Sequence, residues 1–198
     1  MFGTWSFRFG YLFGNWCLMF GHLFDNWNLD FGNLFLTMNL IFKKAIVIDI
    51  PIITLLAEKI WMKYYTSIIS IEQIRYMLDK MYSPGSIEHQ MKEGQEYTLV
   101  YDDKEPLGYI SISSKDERNY FLHKFYVDTA KHRKGIGKKL FDHMLSTMNK
   151  PESIELTVNR QNFKAINFYF KMGFTIDSVA DFDIGSGYFM NDFVMIRN

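Results

Sequence analysis

From Leu40 onward the alternation of apolar and polar positions changes period several times, and each change predicts an element. LIFKKAIVI is a short β-branched run ending before Asp49, a candidate N-cap with Pro51 near the first helical turn, where its missing amide costs little. In IITLLAEKIWMKYY, Ile52, Leu55, Leu56, Lys59 and Ile60 recur at helical spacing with Trp61 beside them. Ser70 caps a second helix, IEQIRYMLDKMY, with Ile71, Ile74, Met77, Leu78 and Met81 on one face, and Ser83-Pro84-Gly85 ends it. A third short helical piece, SIEHQMKEG, stops at Gly94. The period then becomes two: YTLVYD, LGYISISS and NYFLHKFYV are strands joined by DDKEP and KDER, loops short enough for an antiparallel meander. Past a glycine-bearing turn, IGKKLFDHMLSTMN aligns Ile136, Leu140, Met144 and Leu145 on one stripe. SIELTV is a fifth strand, NFKAINFYFKM a helix capped by Asn162 and ended by Gly173, and FTIDSVA and GYFMNDFVMI are closing strands. The pattern is α/β (α+β) in class.

The residues before Leu40 follow a different rule. On an eleven-residue period they read FGTWSFR, FGNWCLM, FDNWNLD and FLTMNLI, with FGYL, FGHL and FGNL between them. Gly and Asn in each unit disfavour helix by up to about 1 kcal/mol apiece relative to Ala. Asp25 and Asp30 break any apolar run long enough to span a membrane, and no basic segment or cleavage site marks a signal peptide. A small aromatic β-roll and an interaction tail are open readings. The preferred expectation is that the repeat is translated repetitive DNA, with residues 1–37 outside the fold and a functional domain at 38–198 beginning near Met38.

Composition narrows the function classes. The 198 residues carry 22 basic and 22 acidic side chains, so no global field recruits nucleic acid or an anionic membrane. One cysteine, Cys17, rules out a disulfide framework and leaves nothing to argue for secretion, so a cytoplasmic location is expected. The five histidines show neither Cys2His2 nor HExxH spacing, and no metal is expected.

The chemistry concentrates in YVDTAKHRKGIGKKL, Tyr126 to Leu140, where a strand runs through a basic glycine turn into an amphipathic helix. Gly135 and Gly137 let backbone amides approach a ligand oxygen. Those amides are the unpaired donors of a helix N-terminus, which favours an anion. Lys131, Arg133, Lys134, Lys138 and Lys139 surround the turn. The spacing is too short for a Walker A loop and lacks the third glycine of the dinucleotide fingerprint. A second motif lies in the last helix: Asn162-x-x-Ala165-x-x-Phe168-Tyr169-x-x-x-Gly173-Phe174.

Together these resemble the two signatures of the GNAT superfamily of N-acetyltransferases, Gln/Arg-x-x-Gly-x-Gly/Ala after the fourth strand and N-x-x-A-x-x-x-Y-x-x-x-G-F in the last helix. The resemblance covers about Ile41 to the end, and the order of elements is also similar. The first loop position is His132 rather than Gln or Arg, a departure that leaves Arg133 to supply a permanent cation.

The resemblance implies a central mixed, mostly antiparallel sheet of about seven strands flanked by about four helices. It implies acetyl-CoA as co-substrate, held by His132, Arg133, Lys134, Gly135, Gly137 and Lys138 at its phosphates. Phe125, Val127, Asn159, Asn162 and Tyr169 would line the pantetheine arm, which family members hold as a pseudo-strand where strands four and five part. Tyr169 would protonate the leaving thiolate. In arylalkylamine-type members a histidine stands four residues before the strand-ending valine, as His123 does before Val127; it would take the amine's proton, with Tyr126, Glu117 and a water chain as alternatives.

The acceptor site would be built by the first two helices and the final hairpin, which carry Trp61, Tyr64, Tyr65 and Tyr82 with Glu58, Glu72, Asp79, Asp181, Asp183 and Asp192. Aromatics with carboxylates suit a small amine or polyamine slightly better than a protein N-terminus or lysine. With no cysteine after Met38, direct attack in a ternary complex is expected. The competing function is an idle acyl-CoA-binding regulator or assembly factor on the same fold. A homodimer is expected by family analogy alone.

Overall fold

A computed structural model of the protein describes residues 39–128 and 135–198; the amino-terminal repeat and the basic run 129–134 lie outside the described residues. The β-branched start is shorter than its apolar run suggests. Strand β1, Leu40–Lys44, gives way to a single 3-10 turn at Val47–Asp49, because Asp49 folds back on the chain it follows. Its buried carboxylate accepts from Lys43 Nζ at 2.6 Å and from the Ile46 amide at 3.0 Å. Asp49 therefore stands at the N-cap position of α1, Ile50–Tyr64, without capping that helix through its side chain. Ser70 does cap α2, Ile71–Tyr82, accepting from the Gln73 amide at 3.2 Å. Ser83 ends α2 and also opens α3, Pro84–Lys92, with Pro84 in its first turn.

The period-two stretch forms β2, Glu96–Asp102; β3, Glu105–Ser114; and β4, Asn119–Val127. Then come α4, Ile136–Thr147; β5, Ser153–Asn159; α5, Phe163–Lys171; β6, Thr175–Gly185; and β7, Tyr188–Arg197. The sheet order is β1-β2-β3-β4-β5-β7-β6, antiparallel throughout except for the parallel β4–β5 pair. Seven strands agree with the expected sheet, and the short third helix raises the α-helices among the described residues to five.

Helices α1, α2 and α3 cover one face, on which Tyr97, Leu99 and Tyr109 pack against Ile53, Leu56, Ile60, Trp61, Ile74 and Ile87. We call this the inner face. The buried stripe of α1 is Ile53, Leu56, Ala57, Ile60 and Trp61, one residue round from the expected one, and Leu55 is 65% exposed. On the outer face, Phe125 of β4 meets Phe141 of α4 at 6.5 Å and Phe168 of α5 at 5.2 Å.

The parallel β4–β5 pairing sets the geometry of everything that follows. It runs from Asn119↔Ser153 to Leu122↔Leu156, although β4 continues to Val127 and β5 to Asn159. A bulge makes His123 the extra residue between Leu122 and Lys124 in the β3 register, and bulges strengthen local twist. The two strands therefore part in a V that opens toward their carboxyl ends.

Candidate active site

Tyr169 stands beside this opening. It is buried on α5 among Phe125, Phe168 and Phe174, with ring centroids 5.6–6.4 Å away. Burial, and secondly the neighbouring Tyr65, push its hydroxyl well above the ordinary tyrosine value, so it stays protonated at neutral pH. Asn162 caps the same helix, accepting from the Ala165 amide at 3.2 Å, while its Nδ2 faces the Tyr65 hydroxyl at 3.5 Å. Tyr65 follows α1, stacks on Trp61 at 4.3 Å and shares a hydroxyl hydrogen bond with Tyr126 of β4. Tyr82 donates to Tyr126 at 3.1 Å. A chain of phenols thus runs along the inner face from Asn162 to the end of α2.

Lys124 lies on that face as well, two residues before Tyr126. It is 7% exposed, its Nζ donates to Gln90 Oε1 at 2.6 Å, and it sits 5.3 and 5.4 Å from the rings of Tyr82 and Tyr97. Desolvation lowers its pKa to about 8. Among the described residues, Trp61 Nε1 and the Tyr109 hydroxyl are buried without a hydrogen-bond partner, and Tyr109 touches Tyr126 at 5.5 Å.

The expected cofactor residues fall into three groups. Phe125, Val127, Asn159, Asn162 and Tyr169 gather around the opening between β4 and β5; Asn159 Oδ1 accepts from the Gln161 amide at 2.9 Å. Gly135 and Gly137 lie at the start of α4. Gly135 is its N-cap with φ +68, a left-handed conformation that favours glycine. At Gly137 a Cβ would lie 3.3 Å from the Phe168 ring, which would have to give by a few tenths of an ångström. Lys138 is exposed and ion-paired with Asp142 at 2.6 Å. His132, Arg133 and Lys134 lie outside the described residues.

His123 stands at the bulge, apart from the phenol chain, with the Phe121 ring 4.7 Å away, and its Nε2 hydrogen-bonds Ser113 Oγ at 2.8 Å. The residue is exposed overall, with its ring lying partly against the sheet. That partial burial and then the Lys124 ammonium pull its pKa below the ordinary histidine value.

Of the expected acceptor residues, Trp61 and Tyr82 belong to the inner core, while Asp192 is buried beside the end of β5. Sequence reasoning missed Lys124. The signal was present, because alternation put a lysine on the same face as Tyr126, two residues before it.

Among the described residues no cluster of three metal-ligating side chains occurs, and no helix is long and apolar enough to cross a membrane. The arrangement is a strand opening lined by main chain, beside a protonated phenol and a glycine-started helix. It defines an acyl-transfer fold of a known class. The acetyltransferase (GNAT) domain model matches residues 66–183, and the chain belongs to that family of acyltransferases.

Among relatives, the peptidyl-lysine N-acetyltransferase YjaB of Salmonella typhimurium is 28% identical over 93 residues, 47% of this chain and 59% of that protein. The chain thus spans a little over half the length of this curated relative. The PaiA N-acetyltransferase of Thermoplasma acidophilum, solved in complex with coenzyme A, superposes with a TM-score of 0.69 at 24% identity. That match covers 81% of this chain and 99% of the other. Naa50 of Arabidopsis thaliana, in complex with the bisubstrate analogue CoA-Ac-MVNAL, gives a TM-score of 0.57 at 18% identity, over 80% and 98%. These likenesses establish the fold.

Proposed function

We propose that the protein transfers an acetyl group from acetyl-CoA to a primary amine by direct attack in a ternary complex. The observation that carries this reading is the protonated, buried Tyr169 beside the parting of β4 and β5, next to Asn162. An acyl-pantetheine arm laid in that opening can hydrogen-bond the strand edges, and its thioester then lies within reach of a proton donor. Collapse of the tetrahedral intermediate expels a thiolate of ordinary pKa about 8.5, which a phenol can protonate. The start of α4 offers its first amides to the pyrophosphate, with Lys138 in its first turn and His132, Arg133 and Lys134 just before it in the sequence. Coenzyme A in the Thermoplasma complex and the CoA conjugate in the Arabidopsis complex support acetyl-CoA as co-substrate.

The aromatic, carboxylate-bearing acceptor side favours a small amine or polyamine. A peptide lysine is the second reading, favoured by the name of the Salmonella relative. The family resemblance offers His123 as one candidate acceptor for the amine's proton. A cytoplasmic setting is the reading of the single cysteine and a homodimer that of the family resemblance, and size-exclusion chromatography tests the latter.

The test is thiol release from acetyl-CoA against polyamines, arylalkylamines, amino acids and short peptides. Tyr169→Phe is expected to lower kcat at least tenfold, about 1.4 kcal/mol of transition-state stabilisation. Parallel double-reciprocal plots would contradict the ternary complex. Tight acetyl-CoA binding with no acceptor turned over, and no effect of Tyr169→Phe, would favour an acyl-CoA-binding regulator.

A further inference from the structure

Asp192 is a buried carboxylate that the reaction above leaves unused. It sits in β7 opposite Asn159 of β5 and Ala180 of β6. Period two places it on the inner face with Tyr188 and Met190, which pack against the α1–α3 core. It is 5% exposed, yet among the described residues no ammonium or guanidinium stands within ion-pair distance of it. Arg160, whose charge does act on Asp192, is ion-paired to Asp181 instead, and Asn191 Nδ2 holds the same Asp181 oxygen at 2.7 Å. Thr157 hydrogen-bonds the Asp192 carboxyl, and the Tyr65 hydroxyl lies within its electrostatic reach.

Buried carboxylates are ordinarily paired with a cation. A cavity of about 310 Å3, lined by Ile68, Ile69, Asn159, Arg160, Gln161 and Asn191, adjoins Asp192 through its cross-strand partner Asn159 and its chain neighbour Asn191. An ammonium passing inward from it past Asn159 would meet Asp192, with Tyr65 within electrostatic reach. On the far side of Tyr65 stand Asn162 and Tyr169, where the thioester is placed by the acetyl-transfer reading, on which this inference rests.

We propose that Asp192 is the catalytic proton acceptor for an amine entering through this cavity. The ammonium gives one proton to the Asp192 carboxylate. The freed lone pair attacks the thioester carbonyl, forming the C–N bond and a tetrahedral intermediate. As the C–S bond breaks, Tyr169 protonates the sulfur, and the nitrogen's surplus proton restores the phenol. Asp192 then returns its proton to water, so the products are the amide, free CoA thiol and one proton.

The groups facing Asp192 are Tyr65 from the turn after α1, Thr157 of β5, Arg160 beyond it and Asp181 of β6. Burial raises the carboxyl to about 6, and Asp181 adds to that, while Thr157 and Arg160 oppose it. Such a group is ionised at pH 7 and basic enough to accept a proton.

The test is steady-state acetyl transfer by the full chain to spermidine, benzylamine and a lysine peptide from pH 5 to 9. It compares wild type, Asp192→Asn, Asp192→Glu, His123→Gln and Tyr169→Phe, with acetyl-CoA affinity measured by calorimetry for each. Wild-type kcat is expected to fall below pH about 6 as one group protonates. Asp192→Asn should lose roughly a hundredfold in kcat and the limb near 6, with acetyl-CoA affinity changed less than twofold, and Asp192→Glu should recover part of the rate.

Retention of kcat and of the limb in Asp192→Asn, with Tyr169→Phe alone impaired, overturns the proposal and leaves acetyl transfer standing. So does removal of the limb by His123→Gln only. A rise in amine KM without loss of kcat assigns Asp192 to holding the ammonium and overturns its role as base. If wild type binds acetyl-CoA and turns over no amine, the acetyl-transfer reading falls and takes this proposal with it.

Discussion

Lys124 carries its charge where the strand's pattern asks for none. Its Nζ is held by Gln90 and the rings of Tyr82 and Tyr97, but these contacts do not restore the hydration it has lost, and its pKa falls to about 8. The unfolded chain holds that proton up to about 10.4. Between these values the unfolded state binds more protons, so this residue's contribution to stability rises with pH through that window. At pH 7 the charged form is therefore a net cost. Lys124→Met is expected to stabilise the fold by about 1–2 kcal/mol at pH 7, raising Tm by roughly 2–8 °C for a chain this size. The gap should close by pH 10. Thermal melts at the two pH values check it, and a less stable variant at pH 7 would mean that Gln90 and the two rings outweigh desolvation.

At this scale the placement of Asn162 and Tyr169 on one helix was legible, because a helix motif fixes their spacing locally. The role of Tyr65 was not. It depends on a contact with Asn162 across 97 positions, which no local pattern encodes.

Elements were legible wherever one periodicity ran long enough. The β2–β3–β4 meander, the Ser70 cap and the Asn162 cap agree with their local signals. The stripe of α1 rotated by one residue because its apolar run is broad, and only the sheet beneath chooses between Leu55 and Ile53. Gly108 had no signal of its own in LGYISISS. In the fold a Cβ there would stand 2.3 Å from the Tyr126 carbonyl oxygen and 2.8 Å from Val127 Cα, both backbone atoms that cannot swing aside. Glycine thus lets β3 approach β4 where β4 leaves β5.

Gly108→Ala is expected to cost about 3 kcal/mol or more, since main chain must move, and overpacking costs of 1–3 kcal/mol assume side chains that can adjust. Chemical denaturation measures the loss. Because the displaced residues are Tyr126 and Val127, acetyl-CoA affinity should fall in the fraction that remains folded.

At the scale of the whole domain, the acetyl-transfer reading makes the parting of β4 and β5 an exchange of sheet hydrogen bonds for a binding surface. The pairing ends at Leu122↔Leu156, and on that reading a ligand bridges the carboxyl ends of the two strands. A ligand that completes the sheet binds only the native state, so it stabilises by RT ln(1 + [L]/Kd), about 2.7 kcal/mol at a hundred times Kd. Acetyl-CoA at that excess is expected to raise Tm by roughly 5–11 °C. In hydrogen exchange, the added protection should concentrate in β4 beyond Leu122 and in β5 beyond Leu156, with little change in β6.

Among the described residues the first element begins at Leu40, and every buried residue of the inner core lies between Ala45 and Ile184. The same shift and the same protection are therefore expected of a chain that starts at Met38. A chain without residues 1–37 that melts without cooperativity, or no longer responds to acetyl-CoA, would place the aromatic repeat inside the functional domain instead of before it.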